Sequence, residues 1–121
     1  KRFAADEGRQ RQAALLAFSA FSELKHVMLV DEDVDVFDLN DVIWAMTTRY
    51  QGDVSTVFIP GVRCHPLDPS SDPAFSPSVR DHGIACKTIF DCTVPYNLKA
   101  NFHRSEFLEV DVNRFIPGFN K

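Results

Sequence analysis

Lys25 to Arg49 reads KHVMLVDEDVDVFDLNDVIWAMTTR, and the order of its parts decides the fold class. His26 to Val30 is a continuous apolar run with β-branched residues, the pattern of a strand covered on both faces. It breaks abruptly at Asp31-Glu32-Asp33. Asp38 then stands where a helix N-cap belongs, and Asp41 at the third helical position makes a variant of the capping box. Leu39, Val42, Ile43 and Met46 recur at helical spacing, and Thr47, Thr48 and Arg49 finish the helix. Strand, acidic loop and amphipathic helix form one unit.

Working outward, Gly52-Asp53 marks a turn into a second apolar strand, Val54 to Ile59. A strand, a helix and a strand in that order predict a right-handed crossover and parallel pairing. Ile84 to Asp91 holds a third strand with Thr88-Ile89-Phe90 at its apolar centre. Upstream, Asp6 can N-cap a helix from about Glu7 to Leu24, with Ala13, Ala14, Ala17, Phe18, Phe21 and Leu24 at helical spacing. The expected class is therefore α/β, a small, mainly parallel sheet with flanking helices. An α/β unit normally starts on a strand, whereas this chain starts on a helix and without Met. A first strand is expected upstream, in a larger protein of which residues 1–121 are a single domain.

Two segments break the periodicity. Five of the seven prolines fall between Pro60 and Gly83, at Pro60, Pro66, Pro69, Pro73 and Pro77. A structureless stretch of that length in a small domain is usually a lid or a binding loop. Val62, Leu67 and Phe75 supply apolar anchors for an ordered one. From residue 96 to 121 the chain is aromatic and amphipathic, with Phe102, Phe107, Val110, Phe115, Ile116 and Phe119. Such a tail is expected to cover a neighbouring domain or subunit.

Composition excludes several classes. The 121 residues are 45% apolar, enough for one ordinary core. A net charge of −4 with no basic stripe argues against nucleic acid. No apolar run is long enough to span a bilayer, so no membrane partner is expected. Cys64, Cys86 and Cys92 are odd in number and fit a reduced, cytoplasmic setting.

Five candidate chemistries follow from the residues. Asp31, Glu32, Asp33, Asp35, Asp38 and Asp41 could form a calcium loop, but Val36 and Val42 stand where an EF-hand starting at Asp31 needs Gly and Glu. A phosphoacceptor pocket needs an Asp at the end of a later strand, and Val57-Phe58-Ile59-Pro60 has none. Caps and turns at the end of a strand account for these carboxylates. Cys64, His65, His82, Cys86, Cys92 and His103 lack the short spacing that pre-organises zinc ligands. Nothing near Cys64 marks it as an activated nucleophile. His65 sits in a proline-stiffened loop at the carboxyl end of the second strand, where α/β sheets present binding residues. It can bond or exchange a proton with a phenolic hydroxyl, or simply make a turn hydrogen bond.

The run from Asp31 to Arg49, with Val30 before it, resembles the C-terminal domain of the UbiD family of prenylated-FMN-dependent decarboxylases. The resemblance continues through Arg63-Cys64-His65-Pro66-Leu67-Asp68-Pro69-Ser70-Ser71 and Lys87-Thr88-Ile89-Phe90-Asp91-Cys92-Thr93-Val94-Pro95, and more loosely through Arg104-Ser105-Glu106-Phe107. It implies a parent enzyme whose upstream flavin domain holds prenylated FMN, a divalent metal (Mn or Mg), K and an Arg-Glu-Glu catalytic set. The flavin would be the electron sink for the leaving carboxylate. The resemblance makes this domain one that closes on the flavin domain and supports a homo-oligomer, without turnover or tight flavin binding of its own. It also implies substrate contacts: Leu67 as an apolar wall over an aromatic ring and His65 as a partner for a ring hydroxyl. Relatives acting on cinnamate-type acids tend to carry an aromatic residue at the position of His65. Histidine points to a phenolic acid such as protocatechuate or gallate. The alternatives are decarboxylation of a polyprenylated hydroxybenzoate in quinone synthesis and a non-enzymatic α/β interaction domain.

Overall fold

The third strand of the sequence is the middle of the sheet. The computed structural model describes residues 1, 3–71, 74, 83–102, 104 and 114–118. Within it β1 (His26–Leu29), β2 (Thr56–Arg63) and β3 (Ile84–Asp91) lie in the order β1-β3-β2. β1 runs parallel to β3, with His26 opposite Thr88 and Leu29 opposite Asp91. β2 runs antiparallel to β3, with Thr56 opposite Phe90 and Arg63 opposite Ile84.

The class is α/β with flanking helices, but the sheet is mixed. The parallel pairing predicted for the first two strands does not occur. Met28 and Thr56 both face Phe90, so β2 enters the sheet at the end where β1 leaves it. The acidic loop, α2 (Leu39–Arg49) and a one-turn helix, α3 (Gly52–Ser55), connect the two strands.

α1 is shorter than its apolar pattern predicts, running Arg9–Ala20. Gly8 takes φ 89° at the N-cap and starts the helix afresh, while the Asp6 carboxylate instead accepts from the Phe3 amide in a 3-10 turn at Ala4–Asp6. Beyond Ala20 the buried Lys87 Nζ donates to the carbonyls of Ser22 and Leu24, both at 2.5 Å, and fixes the chain in a non-helical turn.

Each face of the sheet meets one helix. Ala14 and Phe18 of α1 pack on Ile89 with Val27, Leu29, Val57 and Ile59 around them. Ile89 is fully enclosed, a burial worth about 2–3 kcal/mol. On the other face Ala45, Val34 and Cys92 form a second core with Val42, Trp44, Met46 and Phe90. β1 is an edge strand with His26 and Met28 exposed, not the doubly covered strand its apolar run predicts. The buried face of α2 is also rotated from the predicted stripe. Asp41 and Ala45 are buried, whereas Leu39 and Ile43 are exposed.

β2 continues past the expected break at Pro60. Pro60 and Gly61 sit at a bulge between Ile59 and Val62, where proline's missing N–H and the φ of 72° at Gly61 are both accommodated. Pro69–Ser71 and Tyr96–Asn101 form 3-10 turns. Of the expected loop and tail residues, Pro73, Phe75, Pro77, Phe107, Val110 and Phe119 lie outside the described residues, as do the metal candidates His82 and His103. Phe102, Phe115 and Ile116 are exposed.

Candidate functional site

Because β2 is antiparallel, the two sequence motifs sit at opposite ends of the sheet. The acidic loop lies at the carboxyl ends of β1 and β3, and the His65 loop lies at the carboxyl end of β2, beside the start of β1. No single constellation joins them.

At the first end Asp31, Asp33 and Asp41 are committed to two arginines, and Glu32 pairs with Lys99 at 3.4 Å. Arg49, the last residue of α2, donates to Asp33 through Nη1 at 2.8 Å and Nη2 at 2.5 Å, and its Nη1 reaches Asp31 at 3.4 Å. Asp31 also accepts from the Val94 amide at 2.7 Å, which ties the loop to the chain leaving β3. Asp41 accepts from the Asp35 amide at 2.7 Å and pairs with both terminal nitrogens of Arg104. Both guanidinium groups stack on Trp44, at 4.9 and 4.5 Å from the ring centroid. The hydrogen bond from Arg49 holds Asp33 below the usual carboxylate range, and that from Arg104 does the same for Asp41.

The caps-and-turns reading accounts for part of this. Asp38 accepts from the Asn40 amide as the N-cap, and Asp35 accepts from the Phe37 amide in a turn. The predicted capping box does not form, because Asp41 turns to Asp35 and Arg104 instead. Asp31 and Asp33 act as counter-ions. The cleft here, about 250 Å³, is lined by carboxylates and by Arg49, Lys99, Phe102 and Arg104. Among the described residues no group of three or more His, Cys, Asp and Glu is placed to hold a metal ion. The cluster is a charged strut that fixes the acidic loop to α2.

A second cleft, about 600 Å³, opens beside the start of α1. At its wall, burial pushes the Asp91 carboxyl upward, but hydrogen bonds from Thr93, Arg11 and Gln10 outweigh this and hold it low.

At the opposite end, the Cys64 amide donates to the Gly83 carbonyl at 2.9 Å and closes the base of the loop. His65 is half-buried, and its Nδ1 accepts from the Leu67 amide at 3.1 Å. The turn hydrogen bond is thus present, and it leaves Nε2 turned toward Glu23 rather than toward its own loop. Nε2 lies 3.9 Å from Glu23 Oε1. Leu67 is four-fifths exposed. Cys64 is buried, its Sγ directed to the His65 carbonyl at 3.6 Å, a poor setting for a nucleophile.

Sequence reasoning did not assign partners to Arg49, Arg104 or Lys25. For Arg49 the visible signal is a cation in the last helical turn near six carboxylates. Lys25 bonds Asp68 at 2.6 Å across 43 positions of sequence, which no local pattern encodes.

A family model described as 3-octaprenyl-4-hydroxybenzoate carboxy-lyase C-terminal domain matches residues 1–92. The chain is 58% identical over 107 residues to the gallate decarboxylase of Lactiplantibacillus plantarum, covering 88% of this chain and 22% of that protein. It superposes on the crystal structure of 3,4-dihydroxybenzoic acid decarboxylase from Klebsiella pneumoniae with a TM-score of 0.83 and 62% identity, over 98% of this chain and 24% of that one. HmfF from Pelotomaculum thermopropionicum, solved in complex with FMN, matches with a TM-score of 0.72 and 30% identity, over 93% of this chain and 24% of that one. The chain therefore spans under a quarter of the length of these relatives.

Proposed function

The chain belongs to the UbiD family, as its 3-octaprenyl-4-hydroxybenzoate carboxy-lyase C-terminal domain, and on that premise we propose that it serves a non-oxidative decarboxylase of phenolic acids such as gallate or 3,4-dihydroxybenzoate. Its similarity to decarboxylases of those two acids supports the substrate class. The observation that carries the reading is the hydrogen bond from the Leu67 amide to His65 Nδ1. A neutral imidazole that accepts at Nδ1 carries its proton on Nε2. His65 is thereby set as a donor to a substrate oxygen, and a ring hydroxyl or phenolate is a suitable acceptor. Exposed Leu67 in the same turn offers an apolar wall to the ring.

The domain closes one side of the pocket and shares in oligomer contacts. Exposed Val36, Phe37, Leu39 and Ile43 beside the acidic loop support such docking, against the parent's flavin domain or another subunit. Prenylated FMN, its Mn or Mg ion and K belong to the remainder of the parent. The FMN complex of a relative supports the flavin, but the residues described in this chain do not fit a metal-bound cofactor, because their clustered carboxylates are neutralised by arginine. Turnover is accordingly proposed to need the remainder of the parent. A cytoplasmic location is supported by three free cysteines and by the absence, among the described residues, of a helix long and apolar enough to cross a membrane.

A polyprenylated hydroxybenzoate would need a wide apolar mouth, and polar His65 and Asp68 disfavour it. A non-enzymatic interaction domain is disfavoured by the similarity to decarboxylases over nearly the whole chain. The test is carbon dioxide release from 3,4-dihydroxybenzoate and gallate by the full-length parent supplied with prenylated FMN. Release from either acid, reduced at least tenfold by His65→Ala, is the expected result. No release from either would overturn the substrate class.

A further inference from the structure

We propose that Lys25 and Asp68 are positioning residues that clamp the His65–Leu67 turn to the sheet, an inference that rests on reading His65 and Leu67 as substrate contacts. Asp68 is the hub of the loop, and all three of its oxygen atoms are used. Oδ2 accepts from Lys25 Nζ at 2.6 Å. Oδ1 accepts from the Ser70 amide at 3.0 Å and the Ser70 hydroxyl at 2.8 Å. The backbone carbonyl accepts from the amide and hydroxyl of buried Ser71, at 3.0 and 2.9 Å. Its own amide returns to the His65 carbonyl at 3.1 Å, so the hub is bonded directly to the residue it would position.

The other end of the clamp is the sheet itself. The Lys25 carbonyl accepts from the Thr88 amide of the central strand at 3.1 Å. Its side chain crosses to Asp68 and also donates to the Ser70 hydroxyl. The Lys25 and Asp68 side chains are 29% and 17% exposed, shielded enough for charge-assisted bonds to hold a fixed geometry. Glu23, on the same turn before β1, faces His65 Nε2. The α1–β1 turn therefore meets the loop at two points, and Lys87 holds that turn from beneath through Ser22 and Leu24.

A donor on a loop loses much of its effect if it wanders by an ångström, with losses that reach about 100-fold. The clamp removes that freedom, so that His65 and Leu67 reach the substrate as one rigid unit with β3.

The experiment measures kcat and KM for 3,4-dihydroxybenzoate in the full-length, flavin-loaded enzyme. Asp68→Asn, Lys25→Met and Ser70→Ala are each made in the native and in the His65→Ala background. Where turnover is too slow, the Kd for the same acid is measured by calorimetry. The clamp predicts at least a tenfold loss of kcat/KM for Asp68→Asn and Lys25→Met, and a loss at least threefold smaller once His65 is Ala and only Leu67 remains to be placed. Lys25→Arg should stay within threefold of native. Equal losses in both backgrounds would make the pair merely structural and overturn the proposal. So would unchanged kinetics in a background where His65→Ala itself is damaging, which overturns the clamp alone. A silent His65→Ala removes the substrate-contact reading and the role of the clamp with it.

Discussion

Arg49 grips Asp33 with both arms of its guanidinium, at 2.8 and 2.5 Å, while only 3% of its own side chain is exposed. That pair, with Asp31 behind it, fastens the end of α2 to the loop that follows β1. Removing this cation leaves buried Asp31 without a counter-ion while the part-exposed Asp33 is re-solvated, a loss of about 2–3 kcal/mol, less than for a fully buried pair. Arg49→Met should therefore lower stability to urea by about that amount. Arg49→Lys, which keeps the charge but not the fork, should cost about 1–2 kcal/mol. An Arg49→Met protein within about 1 kcal/mol of native would show that the strut is dispensable.

Acid should weaken the fold in a defined window. Asp33 and Asp41 are held low by Arg49 and Arg104, and the hydrogen bond from Lys25 brings Asp68 down to about 2 from an ordinary 3.8. Folded values below unfolded ones mean that this stabilisation is complete above the unfolded value and is lost as pH falls through the folded one. The share from Asp68 should thus be lost between about pH 4 and 2. Urea midpoints followed through Trp44 fluorescence should fall over this range, and Asp68→Asn should make the descent shallower. An unchanged slope in Asp68→Asn would contradict the Lys25–Asp68 bond.

The thiols should separate by accessibility. Cys86 is exposed, whereas Cys64 and Cys92 are buried and burial pushes the Cys92 thiol up. A maleimide at neutral pH should label Cys86 first and the other two only on unfolding. Early labelling of Cys92, read by mass spectrometry, would count against the second core.

Gly61 provides a local test of the bulge. Its φ of 72° lies where a side chain is strained, although no atom stands within 4 Å of an added Cβ. Gly61→Ala should cost about 1–2 kcal/mol from backbone conformation alone. A neutral substitution would mean that the β2 bulge relaxes freely.

Much of this was legible in the chain. The third strand lies at Ile84–Asp91 as its apolar pattern predicts, and Asp38 caps α2 as its position predicts. Local patterns carry such features because they depend on neighbours in sequence. The direction of β2 was not legible, since no local pattern says at which end of the sheet the chain re-enters. The ends of α1 were missed because Gly8 in a left-handed conformation outweighed a plausible Asp6 cap. At the site, the turn bond of His65 is one of the two readings its position allows, and the geometry shows it with Nε2 facing Glu23. Lys25–Asp68 and Arg104–Asp41 were invisible, since each joins side chains far apart in sequence.

The most direct test of the account compares substrates that differ by one hydroxyl. In the full-length flavin-loaded enzyme, kcat/KM would be measured for 3,4-dihydroxybenzoate, 3-hydroxybenzoate and 4-hydroxybenzoate, native against His65→Ala. If His65 Nε2 donates to a ring oxygen, the substitution should cost at least tenfold on the dihydroxy acid. It should cost little on whichever monohydroxy acid lacks the contacted oxygen. Equal loss on all three acids, or no loss on any, would contradict the role assigned to His65.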